Sequence, residues 1–280
     1  MKSQHTTFHV GGPERGVPIL DYLARRLDIS KKKAKQMLDA RAVFVNNQRV
    51  WMARHVMQRD DIVEVNLPVA PARAAGGGLH ALYEDDDYLI IDKPAGLLSD
   101  GPNSAESRLR KQFNNPQIEA VHRIDRETSG CLLFARHAKA RDAAVAIFEQ
   151  RGVRKTYVAL VHGRFPYEIR VIDKPLEHQH AITHVRVVRA NDVASLLELH
   201  PETGRTHQIR KHLAGLRHPI LSDKVYATTP IDHPALRRIP RQMLHAAGLE
   251  FAHPATGARI SVKAREPADF IAAIRGLRLS

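Results

Sequence analysis

The chain has 280 residues, 43% of them hydrophobic, enough for one large domain and one small one, each around a proper core. Its 43 Lys and Arg against 30 Asp and Glu give a formal charge of +13, so an anionic polymer is the expected partner; aromatics at 5% argue for nucleic acid over a membrane surface. No run of about 18 apolar residues exists to span a bilayer, residues 1–7 lack the apolar centre of a signal peptide, and the lone Cys131 forms no internal disulfide, so we expect a cytoplasmic protein without redox chemistry.

In chain order, Ile19 to Leu27 predicts a short helix, and Ser30 can cap a second through Lys31 to Ala40 with Ala34, Met37 and Leu38 facing inward. Short strands are expected over 42–47, 49–51 and 61–65, with Asn46-Asn47 as a turn. Residues 1–75 carry 13 Lys or Arg against 7 Asp or Glu, and Arg25, Arg26, Lys31, Lys32, Lys33 and Lys35 would form a phosphate-binding face. An isolated lysine run is more often a solvated helix face, but here it sits in a recognisable pattern. Ser with basic residues, then Val-x-Val-Asn, then Asp-x-Ile-x-Val resembles the S4-like RNA-binding domain over residues 17 to 67. The small, Gly-rich stretch 68–79 reads as a flexible linker, which divides the chain into 1–67 and 80–280.

Beyond the linker, strands are expected at 88–91, 131–135, 156–161, 184–188, 194–199 and 260–262, and helices at 138–150, 206–216 and 267–277. Without strict β-α alternation, this predicts an α+β catalytic domain whose largely antiparallel, mixed sheet is flanked by helices, beside the small α+β N-terminal domain. The 17 histidines show no paired ligand spacing, so no metal site is expected.

His122-Arg123-Ile124-Asp125-Arg126-Glu127-Thr128-Ser129-Gly130 sets one carboxylate among arginines in a turn before an apolar strand. Alone, it would read as a surface ion pair. The nine residues, however, resemble the HRLD-x-x-TSG motif of the RluA family of RNA pseudouridine synthases. Residues 84–96, 154–161, 204–210 and 241–254 resemble the family's other motifs, in the family's order. The resemblance covers residues 80 to 275 and implies an isomerase that turns specific uridines of RNA into pseudouridine without a cofactor. The expected RNA is ribosomal, with transfer RNA the other candidate, and the expected state is a monomer.

The resemblance assigns the essential catalytic role to Asp125, with Arg210 as its ion-pair partner and Tyr157 against the uracil face. An adjacent guanidinium favours an ionised carboxylate. Ile209 and Leu244 would wall the base pocket, and Arg123 would contact phosphate or fill the gap left by an extruded base. His122 is expected to pack rather than to react. Leu97 to Pro102 replaces the usual Val-His-Pro-like residues, and Pro219 to Ala227 loses both glycines of a Gly-Asp-x-x-Tyr-Gly segment, from which an altered turn is expected. Two rival readings are a non-catalytic RNA-binding ribosome assembly factor and a metal-dependent nuclease. The intact Asp125, Tyr157 and Arg210 argue against the first, and the lack of a carboxylate cluster for two metals against the second.

Overall fold

Strand β1 (His5–His9) opens the chain and pairs antiparallel with the last strand of the first unit, a long-range contact that no local pattern in residues 1–10 announces. The computed structural model describes residues 5–27, 29–39, 43–46, 48–66, 78–227, 234–237 and 239–279. They fall into two compact units, Met1–Arg73 and Ala74–Ser280. The stretch read as a linker lies outside the described residues except for Gly78 and Leu79.

In the smaller unit, α1 (Ile19–Arg26) buries Ile19, Tyr22 and Leu23, and α2 (Lys31–Asp39) buries Ala34, Met37 and Leu38, as their helical spacing predicts. Ser30 caps α2, its Oγ accepting from the Lys33 N–H at 3.2 Å. Strands β2 (Val43–Val45), β3 (Gln48–Arg49) and β4 (Ile62–Asn66) complete an antiparallel sheet in the order β1-β4-β2-β3. Asn46 turns the β2-β3 connection at φ 49°, its side chain bonding Asp61 and the Ile62 N–H. The expected strand over 49–51 stops at Arg49, leaving Trp51 exposed.

The larger unit runs β5 (Ala81–Glu84), β6 (Tyr88–Lys93), α3 (Ala105–Gln112), β7 (Glu119–Ala120), β8 (Ser129–Ala135), α4 (Ala138–Glu149), β9 (Arg154–His162), β10 (Val171–Asp173), β11 (Ile182–Ala190), β12 (Ala194–Pro201), α5 (Gln208–Gly215), α6 (Pro234–Arg237), β13 (Leu244–Ala252), β14 (Arg259–Lys263) and α7 (Ala268–Gly276). One sheet carries the order β10-β11-β12-β9-β13-β8-β6-β5, with β7 on β8 and β14 on β13. Among the described residues every pairing in it is antiparallel except β13 with β8, which makes the sheet largely antiparallel and mixed. Helices α5 and α7 bury Leu213, Phe270 and Ala273 in one core cluster with β9 and β12; α4 packs Ala140 and Ala144 in another with β8 and β14.

Strand β13 is central, yet the sequence predicted no strand there: Leu-His-Ala-Ala-Gly-Leu lacks both alternation and β-branched residues. Its register sets Tyr157 of β9, Ala246 of β13 and Gly130 of β8 in one row across the sheet. Two strand spacings, about 10 Å, separate the outer two. The 122–130 loop therefore leads into the sheet level with Tyr157, one strand removed from β9.

Candidate active site

Gly130 ends the loop at φ 107°, and a Cβ there would sit 2.2 Å from the Ala246 carbonyl oxygen, so only glycine lets β8 approach β13. Two further segments brace the loop. From one side, Ser99 Oγ donates to the Ile124 carbonyl at 2.9 Å and accepts its N–H at 3.2 Å, and the fully buried Lys93 donates to the carbonyls of Pro94, Leu97 and Arg126 at 2.7 to 3.1 Å. Of the divergent residues 97–102, Ser99 thus bonds the loop directly, and Leu97 holds the Lys93 that braces it. From the other side, Arg241 donates to the Glu127 carbonyl and to Ser129 Oγ while paired with Asp269, and Gln242 reaches Thr128 Oγ1 at 3.0 Å.

Held in this way, Asp125 presents Oδ2 to Arg210 NH1 at 2.9 Å and Oδ1 to His207 Nε2 at 3.5 Å. The carboxylate stays about one quarter exposed, facing a cleft of about 980 Å3. Tyr157, Ile209, Leu244 and Arg123 line the same cleft, so the six residues picked from the catalytic part of the sequence meet in one place. Ile209 and Leu244 are buried, whereas Arg123 is largely exposed, 3.8 Å from Asp100. Burial, and then the Asp125 charge, push the Tyr157 phenol well above its ordinary pKa. Burial also drives His122 down to about 3; it stacks on Phe148 and accepts from the Leu133 N–H, a packed and neutral residue. The Cys131 thiol is buried in β8 and pushed up to about 12.

Three residues complete the site that the sequence reading had given no catalytic role, although two of them are the Asp and Tyr retained from the Gly-Asp-x-x-Tyr-Gly segment. Asp223 grips Arg210 through two hydrogen bonds, Nε to Oδ2 at 2.7 Å and NH2 to Oδ1 at 2.9 Å, and also accepts the N–H groups of Val225 and Tyr226. Burial alone would weaken both charges, but the pair outweighs it: Asp223 is lowered and Arg210 raised. The Tyr226 ring lies under the guanidinium, 4.9 Å from its carbon, and the Tyr226 hydroxyl meets His207 Nδ1 at 2.9 Å. His207 itself sits at φ 55° ahead of α5. Asp125, Arg210, Asp223, Tyr226 and His207 therefore close a ring of contacts. In the segment where an altered turn was expected, Ser222 takes the left-handed conformation, φ 59°, and donates to the Ile239 carbonyl at 2.9 Å. An Asp and a Tyr three residues apart carried the only signal, and their partners lie in other segments.

Among the described residues, no group of three or more His, Cys, Asp or Glu side chains could hold a metal ion, and no helix is long and apolar enough to cross a membrane. In the smaller unit, Lys32, Lys33 and Lys35 are exposed on α2. Lys31 pairs with Asp21 at 2.8 Å and Arg26 with Glu14 at 2.8 Å, so part of the basic face is already matched by acid; Arg25 stands in the last turn of α1.

Comparison with known proteins gives consistent matches. The family model described as RNA pseudouridylate synthase matches residues 87–215. The chain is 34% identical to an uncharacterised RNA pseudouridine synthase of Mycobacterium bovis, over 91% of this chain and 92% of that one. It is 35% identical to ribosomal large subunit pseudouridine synthase C of Buchnera aphidicola, over 68% of each chain. Among solved structures, human RNA pseudouridylate synthase domain containing 4 superposes with a TM-score of 0.62 at 24% identity, over 72% of this chain and 94% of that one, a likeness of fold.

Proposed function

Because the chain belongs to the RluA family of RNA pseudouridine synthases, and is an isomerase of uridine in RNA, we propose that the Asp125 cleft performs the isomerisation and that the RNA is ribosomal. The ribosomal assignment draws its support from relatives named for the large ribosomal subunit. The observation that carries the site assignment is the 2.9 Å contact of Asp125 with Arg210 in a cleft that also holds Tyr157.

The chemistry asks for little else. The N-glycosidic bond breaks, the uracil turns, its C5 bonds to the sugar, and the C5 proton is lost while N1 gains one. Nothing is oxidised and no group is gained, so the needs are one ionised acid by the sugar, a cation to hold it and walls that retain the loose base. Asp125 supplies the acid, whether it adds to the base, attacks the sugar or removes a sugar proton. Arg210 orients it and faces it with an opposite charge at 2.9 Å, Tyr157 stacks on the uracil, and Ile209 and Leu244 wall it in. Arg123, exposed at the rim, contacts phosphate or fills the space of the extruded uridine.

In this reading the smaller unit is an S4-like RNA-binding domain over residues 1–67, joined through 68–79 to a catalytic domain over 80–280. Arg25, Arg26, Lys31, Lys32, Lys33 and Lys35 are its phosphate contacts, supported by the exposed lysines of α2. The enzyme works as a monomer in the cytoplasm. The test is pseudouridine mapping by carbodiimide treatment and primer extension, in ribosomal and transfer RNA from cells with and without the gene. A uridine of ribosomal RNA modified only when the gene is present is expected; a change confined to transfer RNA, or none, contradicts the assignment.

A further inference from the structure

Arg151, Lys155, Pro201 and Glu202 line the catalytic cleft and also line a second cleft of about 600 Å3. The second cleft extends past Arg154 to Arg259 on β14, so the two clefts adjoin at these four shared residues. Its size is that of a ligand-binding cleft. Its charge is unevenly matched. Glu250 is held by Arg259 at 2.6 Å, and Glu202 lies between His184 and Arg151, the latter at 3.7 Å. Arg154 and Lys155 are left over. Arg154 is exposed, with no carboxylate at ion-pair distance among the described residues. Lys155 donates only to an uncharged group, the Thr203 carbonyl at 3.1 Å, and burial pushes its ammonium down to about 8. A half-desolvated cation without an anion gains most from a phosphate placed beside it.

We propose that the second cleft holds the RNA strand that runs on from the target uridine, its phosphates facing Lys155 at the crossing and Arg154 beyond. The inference rests on the isomerisation site being the Asp125 cleft. Lys155 stands two residues before Tyr157 on β9, about 7 Å along the strand, so an RNA whose uridine reaches Tyr157 carries its neighbouring phosphates over Lys155. Continuity with the uridine site and the two unmatched cations favour this occupant over an acidic protein segment.

The test is binding of fluorescein-labelled oligouridylates of about 4 and about 12 nucleotides to the full chain across a salt series. Wild type is expected to bind the longer oligomer more tightly. Arg154→Gln is expected to remove several-fold of that length advantage and to flatten the slope of log affinity against log salt by about 0.7, one phosphate contact on a single strand. Lys155→Gln is expected to do the same. A 4-thiouridine placed next to the labelled end of the longer oligomer is expected to cross-link within residues 151–155 or 250–259. A wild type without length advantage, an Arg154→Gln protein that keeps the wild-type advantage and slope, or an acidic peptide that competes as well as RNA overturns the proposal. The activity reading fails separately, through absence of pseudouridine formation, and these binding data do not depend on turnover.

Discussion

Asp223 holds Arg210 from behind while Arg210 holds Asp125 in front: the three hydrogen bonds, at 2.7, 2.9 and 2.9 Å, use Nε, NH2 and NH1 of one guanidinium. A guanidinium fixed on one edge presents its remaining N–H in a set direction, which a free arginine side chain does not. Asp223→Asn breaks the charge pair and one of the two bonds. Charge-assisted hydrogen bonds contribute about 1.5–3 kcal/mol, or about ten- to a hundredfold in rate at about 1.36 kcal/mol per decade. We expect kcat to fall by that factor with KM for RNA nearly constant, measured by tritium release from C5-labelled uridine RNA. An equal change in KM would mean that Asp223 serves RNA binding instead.

Tyr226→Phe separates the two roles of its ring. The phenyl still lies under Arg210, but His207 loses the hydroxyl at Nδ1. The expected loss in kcat is smaller than for His207→Ala, which removes the group 3.5 Å from Asp125 altogether. If Tyr226→Phe proves the more damaging of the two in single-turnover assays, the hydroxyl does more than orient the imidazole.

Lys93 links pH to stability. Burial lowers its pKa from 10.5 to about 7. Between these values the unfolded chain binds more protons than the folded one, so the contribution of Lys93 to stability rises with pH through that window and is least favourable below it. Urea midpoints measured from about pH 6 to about pH 10 should climb more steeply for wild type than for Lys93→Met. Parallel curves would show that the lysine stays charged when folded, held by its three carbonyl acceptors.

Removal of residues 1–75 takes away 13 Lys or Arg and 7 Asp or Glu. With the compact unit Ala74–Ser280 nearly intact, we expect circular dichroism to show a folded protein that still releases tritium, with weaker RNA binding and a flatter salt dependence in filter retention. Unchanged affinity and slope would leave the lysines of α2 as a solvated face.

Asp125, Tyr157 and Arg210 were legible in the sequence because each stands in a compact motif, and the structure brings them to one cleft. Asp223, Tyr226 and His207 were not, because their meaning lies in contacts between separate segments around a turn built on a left-handed Ser222. The same contrast holds for the fold. Helices α1 and α2 announced themselves through apolar spacing, and β8 through an unbroken buried run. Helix α3 was hidden by its charged composition, with only Ala105 and Leu109 inside, and β1 by a partner more than 50 residues away, as the pairing of His5 with Asn66 shows. Strand β13 owes its place to its neighbours, since pairing on both edges compensates for an Ala- and Gly-containing sequence.

The central claim is that the Asp125 carboxylate performs the isomerisation. The direct measurement is Asp125→Asn, assayed side by side for tritium release from C5-labelled RNA and for RNA affinity by filter retention. The amide keeps the shape but neither attacks nor accepts a proton as the carboxylate does, and the loss of one negative charge reduces repulsion of phosphate. The account predicts no detectable tritium release with affinity equal to wild type or higher. Release at more than a small fraction of the wild-type rate, by a variant that binds RNA normally, would contradict it.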